Sequence, residues 1–386
     1  MATELITANH AAGLAATLAA RANRAARGFG SGVYPITPQT EAIELLCDQE
    51  IEKGHVVRVE SEHSAMAVCM GFALGGARTF TASSSNGLAY MAENVVAAAC
   101  YRLPIVMMAV NRTLGPPWNI WVDHGDTLML RDAGWVQLYC EDNQEVFDSV
   151  LLAYRLAEDS RVLLPVLVCQ DAFVLSHTMM PTEVPDQDAV DRYLPPLDLP
   201  HRLTLEPRTV GGLDFPHETE VHRRQLQEAM DRVPAVYREA ADAFLEVFGR
   251  RPADALVPYR MEDADVALVS MGTTAATARE AVDRARDAGL RAGALRVRMF
   301  RPLPAAELRE ALAGVPRVAV VDRDLSPGFG GVLWGEVRGL ADSGAVVQGY
   351  VMGLGGGDVR PEHLVGVLRD AADRPEAAAP LIREVA

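Results

Sequence analysis

Cysteine is sparse in this 386-residue chain, positive charge is outnumbered, and long apolar runs are missing. The five cysteines, Cys47, Cys69, Cys100, Cys140 and Cys169, form no CxxC pair. An odd number of isolated thiols in apolar surroundings fits reduced, buried cysteine rather than a disulfide framework. An iron–sulfur cluster needs clustered thiolates at short spacing, so none is expected here. Lys and Arg number 36 against 52 Asp and Glu, a formal net charge of −16. That balance speaks against nucleic acid or an anionic membrane surface as a partner. No stretch nears the ~18 consecutive apolar residues that span a bilayer. Arg21, Arg24 and Arg27 follow the alanine-rich run near the N-terminus, the wrong order for a secretory signal. A cytoplasmic location is the resulting expectation.

Familiar catalytic signatures are missing as well. "GLGGGDVRP" (353–361) does not have GxGxxG spacing, and there is no Walker A lysine loop. "HETEVH" (217–222) sets its histidines five apart rather than four, which reads as a solvated helix face, not a zinc motif. "SSSNG" is not the GxSxG of a nucleophile elbow. The nine histidines form no ligand cluster, so no metal site is expected in this chain. Catalysis by such a chain needs an exogenous cofactor to carry the hard chemistry.

What is present is an ordinary globular composition, 49% apolar and 23% charged, long enough for two or three domains. Residues 1–180 alternate helical segments with short strands read as buried: "GVYPI", "VVRVE", "RTFTASS" and the apolar "PIVMMAVN", with helices over "TPQTEAIELLCDQEIEK", "SEHSAMAVCMGFALGG" and "GLAYMAENVVAAACYR". Such alternation predicts a mainly parallel sheet covered on both faces. Residues 181–261 are proline-rich and then polar, an extended arm followed by a long linking helix; strand–helix alternation resumes over 262–386. The fold class is therefore α/β, two domains with mainly parallel sheets.

Ligands of such sheets lie beyond the carboxyl ends of the strands. Thr37, Glu62, the 83–87 turn and Asn111–Arg112 all fall there. Each has two readings. Glu62 either favours a helix N-terminus or meets a ligand, and strand alternation turns its neighbour Glu60 a different way. Thr37 caps a helix beginning at Pro38, presents its hydroxyl, or does both. Arg112 pairs with a surface acid or binds an anion. Asn86–Gly87 is a plain turn or a contact surface. "DHGD" (123–126) lines a pocket or caps the next helix. The methionines of "PIVMMAV" and "YMAEN" read as core.

The stretches "YPITPQTEAIELL", "VESEHSAMAVCMGFALGGARTFTASSSNGLAYMAE", "RLPIVMMAVNR", "PPWNIWVDHGDTLMLRDAGWVQLYCEDNQEVFDS", "LLPVLVCQDAFVLSHT" and "GLGGGDVRPEHL" resemble the α subunit of 2-oxoacid:ferredoxin oxidoreductases of the multi-subunit pyruvate or branched-chain type. The resemblance runs from about residue 8 to about residue 368. It implies a thiamine diphosphate pyrimidine-binding domain over 1–180 and a domain like the C-terminal domain of transketolase over 262–386. It implies a thiamine diphosphate site shared with a β subunit, with Glu62 hydrogen-bonded to the aminopyrimidine ring. Thr37 and Arg112 would hold the substrate carboxylate, and Pro35, Ser84, Asn86 and Gly87 would line the cofactor. Asn86 departs from the family, which often has Gln there. The chain has no GDG…N motif, so Mg2+ and the [4Fe-4S] clusters are expected in partner chains. The partners implied are the β subunit, γ and δ (ferredoxin-like) subunits, ferredoxin and coenzyme A; "DRDLSPGFGG" (322–331) is placed near a partner or coenzyme A. The implied reaction is oxidative decarboxylation of pyruvate or a related 2-oxoacid to acyl-CoA and CO2. Two rivals stand beside it, a non-oxidative decarboxylase or carboligase subunit and a non-catalytic scaffold.

Overall fold

The computed structural model describes residues 2–206 and 209–385. Along the first part of the chain run β1 (Ala2–Ile6), α1 (Ala8–Ala22), β2 (Phe29–Val33), α2 (Thr40–Cys47), β3 (Gly54–Arg58), α3 (Glu62–Leu74), β4 (Arg78–Ser83), α4 (Asn86–Tyr90), α5 (Ala92–Cys100), β5 (Ile105–Asn111), α6 (Gly125–Leu128), β6 (Val136–Tyr139), α7 (Asn143–Ala157) and β7 (Val166–Asp171). β8 (Met180–Val184), α8 (Gln187–Tyr193) and α9 (Pro216–Phe248) follow. Then come β9 (Leu256–Tyr259), β10 (Val266–Ser270), α10 (Thr273–Asp287), β11 (Ala292–Val297), β12 (Met299–Arg301), α11 (Ala305–Leu312), β13 (Arg317–Asp322), α12 (Val332–Val337), β14 (Val346–Met352), α13 (Pro361–Asp373) and β15 (Leu381–Arg383).

The first sheet has the order β12-β6-β7-β5-β4-β2-β3, parallel except at the β12 edge. Helices cover both faces, so β4, β5 and β7 are buried along their whole length. That is why β5 is an almost continuous apolar run rather than an alternating one; β4 and β7 bury polar side chains as well, among them Thr79, Thr81, Gln170 and Asp171. The alanines of α1 let it lie close to its neighbours: a Cβ on Gly13 would stand 2.9 Å from the Ala42 carbonyl oxygen of α2. The second sheet has the order β15-β14-β13-β10-β11-β9, with only β9 antiparallel. It takes up β9, ahead of residue 262, and releases β12 to the first sheet.

The two sheets are stitched together where the chain crosses between them. Arg298, fully buried, donates to Glu145 Oε1 (2.6 Å) and Ser149 Oγ (2.8 Å) of α7. Arg296 also pairs with Glu145, and with Glu141 at 2.8 Å. One apolar cluster then runs unbroken from Met66, Trp135 and Tyr139 of the first part to Phe300, Val320 and Trp334 of the second.

Several local expectations need correcting. α2 starts at Thr40, not Pro38, because residues 34–39 form a turn closed by Gln39 N→Ile36 O and Gln39 Nε2→Tyr34 O, both 3.0 Å. The helix expected over 87–102 is two helices, interrupted at buried Met91, which adopts φ −89°, ψ 0°. The arm is not wholly extended: β8 pairs with β1, and Asp186 caps α8 through Ala189 N (2.9 Å). α9 is amphipathic towards its C-terminal end, burying Val233, Tyr237, Ala240, Ala241, Phe244 and Phe248 at helical spacing. Cys69, Cys140 and Cys169 are buried, but Cys100 is exposed. No helix among the described residues is long and apolar enough to cross a membrane.

Candidate active site

Glu62 opens α3. Ser61, in an extended conformation, caps that helix by accepting from Ser64 N (3.2 Å), and Glu62 follows in the first turn. Its side chain turns inward and is 7% exposed. The carboxyl group lies against the first turn of α4: a Cβ built on Gly87 would stand 2.6 Å from Glu62 Oε1 and 2.8 Å from its Cγ. Only glycine admits so close an approach. Among the described residues Glu62 has no hydrogen-bond donor and no ion-pair partner.

The 83–87 turn carries Gly87 into place. Ser84 is fully buried and donates Oγ to Val110 O (2.6 Å), so its side chain locks β4 to β5 instead of facing the rim. Ser85 adopts φ 50°, ψ −122°, a sparsely populated backbone region for a residue with a Cβ. It is held there by Ser85 N→Asp126 Oδ2 (2.9 Å) and by its hydroxyl, which donates to the Thr113 carbonyl. Asn86 accepts from Gly115 N (2.9 Å) through Oδ1, tying the turn to the loop that follows β5. Asn86 thus spends its carbonyl oxygen on the scaffold.

Arg112 stands at the carboxyl end of β5, 5% exposed. Its amide donates to Asp126 Oδ2 (3.0 Å) and its guanidinium donates to the carbonyl oxygen of Thr37. Nε is buried without an acceptor, and no carboxylate among the described residues pairs with the group within 4.0 Å. Burial lowers its pKa below the ordinary value, opposed by the charges of Asp126 and Glu62, so Arg112 lies within electrostatic reach of Glu62. Thr37 and Pro35 sit on the exposed edge of the 34–39 turn. Thr37 does not cap α2, whose N-cap is Gln39; the turn is pinned from below by Asn9 Nδ2→Pro38 O (2.7 Å). Glu62, Gly87, Arg112 and Thr37 therefore meet on one rim, with Ser84 behind it.

Residues 24–242 match the family described as pyruvate flavodoxin/ferredoxin oxidoreductase, thiamine diphosphate-binding, and residues 264–364 match pyruvate:ferredoxin oxidoreductase core domain II. The chain belongs to the pyruvate:ferredoxin oxidoreductase family. It is 43% identical over 349 residues to pyruvate synthase subunit PorA of Methanothermobacter thermautotrophicus, covering 89% of this chain and 90% of that protein. It is 40% identical over 376 residues to ketoisovalerate oxidoreductase subunit VorA of Pyrococcus horikoshii, covering 95% and 93%. Its fold is similar to that of a 2-oxoglutarate:ferredoxin oxidoreductase from Magnetococcus marinus, with a TM-score of 0.73 at 20% identity, over 96% of this chain and 65% of that one. It is similar also to a transketolase from Leishmania mexicana, with a TM-score of 0.55 at 16% identity, over 99% of this chain and 48% of that one.

In this oxidoreductase subunit the rim rests on buried acids, Asp126 of the "DHGD" segment and, beyond it, Asp171. Burial pushes the Asp126 carboxyl up to about 7, against the pull of the amides it accepts from. His124 Nε2 lies 2.8 Å from Asp171 Oδ1. Burial alone would raise Asp171, but His124 and Arg323 outweigh it and hold the carboxyl at about 2. Asp171 Oδ2 accepts from Thr273 N (3.0 Å) at the start of α10, so this pair joins the two domains. Behind the loop after β5, a cleft of about 490 Å³ opens between the domains, floored by Asp123, Leu128, Asp324 and Val332. The "DHGD" segment therefore serves both structure and cleft: Asp126 is a fully buried acceptor and Asp123 lines the opening.

Proposed function

We propose that the chain supplies the aminopyrimidine-facing half of a thiamine diphosphate site in a complex that oxidises pyruvate or a related 2-oxoacid to acyl-CoA and CO2 and passes electrons to ferredoxin. One observation carries this reading. Two buried, opposite charges, Glu62 and Arg112, share one rim, and neither has an ionic partner among the described residues. A buried charge left unpaired costs several kcal/mol, so such groups persist where a ligand completes them.

The residues fit the cofactor. Glu62 is a shielded carboxylate without a donor, set in a cradle that a Cβ at Gly87 would fill. Thiamine diphosphate, when bound, supplies the nucleophilic carbon and electron sink that a 2-oxoacid needs to lose CO2. Glu62 would hold a hydrogen bond to a ring nitrogen and favour the tautomer that can take up a proton. Arg112 is a cation whose donors are not spent on another carboxylate. Beside the exposed Thr37 hydroxyl it would bind the substrate carboxylate by charge-assisted hydrogen bonds, for which a planar guanidinium suits better than an ammonium.

In this reading residues 1–180 form the pyrimidine-binding domain, 181–261 the arm and linking helix, and 262–386 the transketolase C-terminal-like domain, in a cytoplasmic enzyme. A β subunit would bring the diphosphate-binding domain, Mg2+ and a [4Fe-4S] cluster; γ and δ subunits, ferredoxin and coenzyme A complete the set. The loop that follows Arg112 exposes large apolar side chains of the kind that partner chains cover: Trp118 is 69% exposed, and Leu114 and Trp121 are exposed as well.

Glu62→Gln tests the proposal in the complex reconstituted with its partner chains. Size-exclusion chromatography should show intact assembly. 2-Oxoacid-dependent reduction of a viologen should fall by about 10²–10⁴-fold, the usual share of a positioned acid or base. Unchanged turnover would remove Glu62 from the mechanism. Free aldehyde formed without reduced acceptor would favour the non-oxidative alternative.

A further inference from the structure

The group that joins the two halves of this rim is one that no ligand reaches. Asp126, on the short α6, is fully buried. Its Oδ2 accepts two backbone amides, Ser85 N at 2.9 Å and Arg112 N at 3.0 Å. Its Oδ1 accepts from Asn111 Nδ2 at 2.9 Å. One oxygen atom thus fixes both the turn that presses Gly87 against Glu62 and the strand end that carries Arg112.

We infer that Asp126 is the positioning residue that sets the spacing between Glu62 and Arg112, and so aligns the substrate-carboxylate side of the site with its cofactor side. The inference rests on the roles proposed above for those two residues. The backbone shows why an acceptor is needed there. Ser85 holds φ 50°, ψ −122°, a sparsely populated conformation that persists only where its surroundings over-determine it. The Ser85 hydroxyl bond to the Thr113 carbonyl and the amide bond to Asp126 supply that constraint from opposite ends of the residue. Without Asp126, two buried amides lose their acceptor at once. The cheapest relief is a reopened turn, which carries Gly87 away from Glu62 and loosens the base of Arg112.

Two substitutions separate position from mere stability. Asp126→Asn keeps a carbonyl oxygen for the Ser85 and Arg112 amides. Its new amino group can donate to Asn111 Oδ1 once the Asn111 amide turns over and the Thr127 hydroxyl, which now accepts from Asn111 Nδ2 at 2.6 Å, donates instead. Asp126→Ala removes every acceptor. In the reconstituted complex, Asp126→Ala should raise KM for the 2-oxoacid by about ten- to a hundredfold, the loss expected when binding groups are displaced by about an ångström. Amide hydrogen exchange at Ser85 and Arg112, read without substrate or cofactor, should quicken in the same variant. Asp126→Asn should restore both measures to within about threefold of the parent, because acceptor geometry and not charge does the positioning. An unchanged KM in Asp126→Ala overturns the inference, and so does Asp126→Asn proving as damaging as Asp126→Ala. If Glu62→Gln is inactive while Asp126→Ala is kinetically silent, this inference alone fails; if Glu62→Gln is fully active, the site reading fails and takes the inference with it.

Discussion

Gly87→Ala is the sharpest probe of whether Glu62 must stay where the fold puts it. Gly87 does not have a positive φ and lies inside α4, so alanine fits the backbone and gains ~1 kcal/mol of helix propensity. The penalty is purely steric. The added Cβ would lie 2.4 Å from Ser83 Oγ and 2.6 Å from Glu62 Oε1, where ordinary contact begins at 3.4 Å, so the Ser83 hydroxyl must turn aside and the carboxyl must retreat by 3.4 − 2.6 = 0.8 Å. Overpacking of this kind costs ~1–3 kcal/mol, partly offset by the helix gain, so the thermal midpoint should move little. Function should move more. A hydrogen bond of ~2.8 Å stretched by that shift reaches ~3.6 Å and ceases to be one. A hydrogen bond to a charged group is worth ~1.5–3 kcal/mol, and ~1.4 kcal/mol is tenfold. Thiamine diphosphate affinity by calorimetry, or 2-oxoacid turnover, should therefore fall about ten- to a hundredfold in the reconstituted complex. Parent affinity and turnover in a variant that carries the extra methyl would show that the Glu62 carboxyl makes no contact that matters.

Other substitutions test the supports. Arg112→Lys keeps the charge but loses the planar fork and its bond to the Thr37 carbonyl; KM for the 2-oxoacid should rise about tenfold or more with the fold intact, as substrate saturation curves would show. Glu145 is nearly buried between Arg296 and Arg298: burial alone would raise its carboxyl, but the two guanidiniums outweigh it and hold it below the usual range. A depressed folded-state pKa gives stability that is present above the unfolded value of about 4.3 and is lost as pH falls through the folded one. Glu145→Gln should accordingly cost about 3–5 kcal/mol by chemical denaturation at pH 7, and less at strongly acid pH; a pH-independent deficit would refute the assignment. Asp324 is the opposite case, its carboxyl raised by burial and by Asp322 beside it. There the native state keeps a proton that the unfolded chain releases above about 3.9, so stability declines as pH rises from that point towards the folded value. Asp324→Asn should gain more stability over the parent at pH 8 than at pH 5, and equal gains at both would contradict the shift.

The α/β architecture was legible because strands buried on both faces favour apolar runs, as in β5, where only the terminal Asn111 is polar. Glu62 and Arg112 were legible for a related reason: a charge at the end of an apolar strand or the start of the next helix is conspicuous. What stayed hidden depends on direction and distance. Ser84 looks like a rim hydroxyl, yet the pleat turns its Oγ back to Val110 O. The "DHGD" segment stood out, but not what Asp126 does in it: it binds amides 14 and 41 residues away, and no local pattern marks a carboxylate whose partners are distant backbone groups. β12 has three residues and pairs with a sheet begun more than 150 residues earlier, where local periodicity has nothing to register.

The choice of partner for Arg112 explains how one rim can serve two ligands. Had its guanidinium met Glu62 within ion-pair distance, each charge would have cancelled the other, and neither would be available to a carboxylate or a ring nitrogen. Instead it donates to a neutral acceptor, the Thr37 carbonyl, which satisfies a buried N–H without removing the positive charge. Glu62 is likewise backed by a glycine rather than by a donor. Asp126, whose carboxyl burial brings up to about 7, holds the Arg112 backbone and, through Ser85, the turn that backs Glu62, with little competing negative charge. The scaffold thus keeps both charges desolvated, separated and unspent, an electrostatic preorganisation that a later-arriving cofactor and anion would complete.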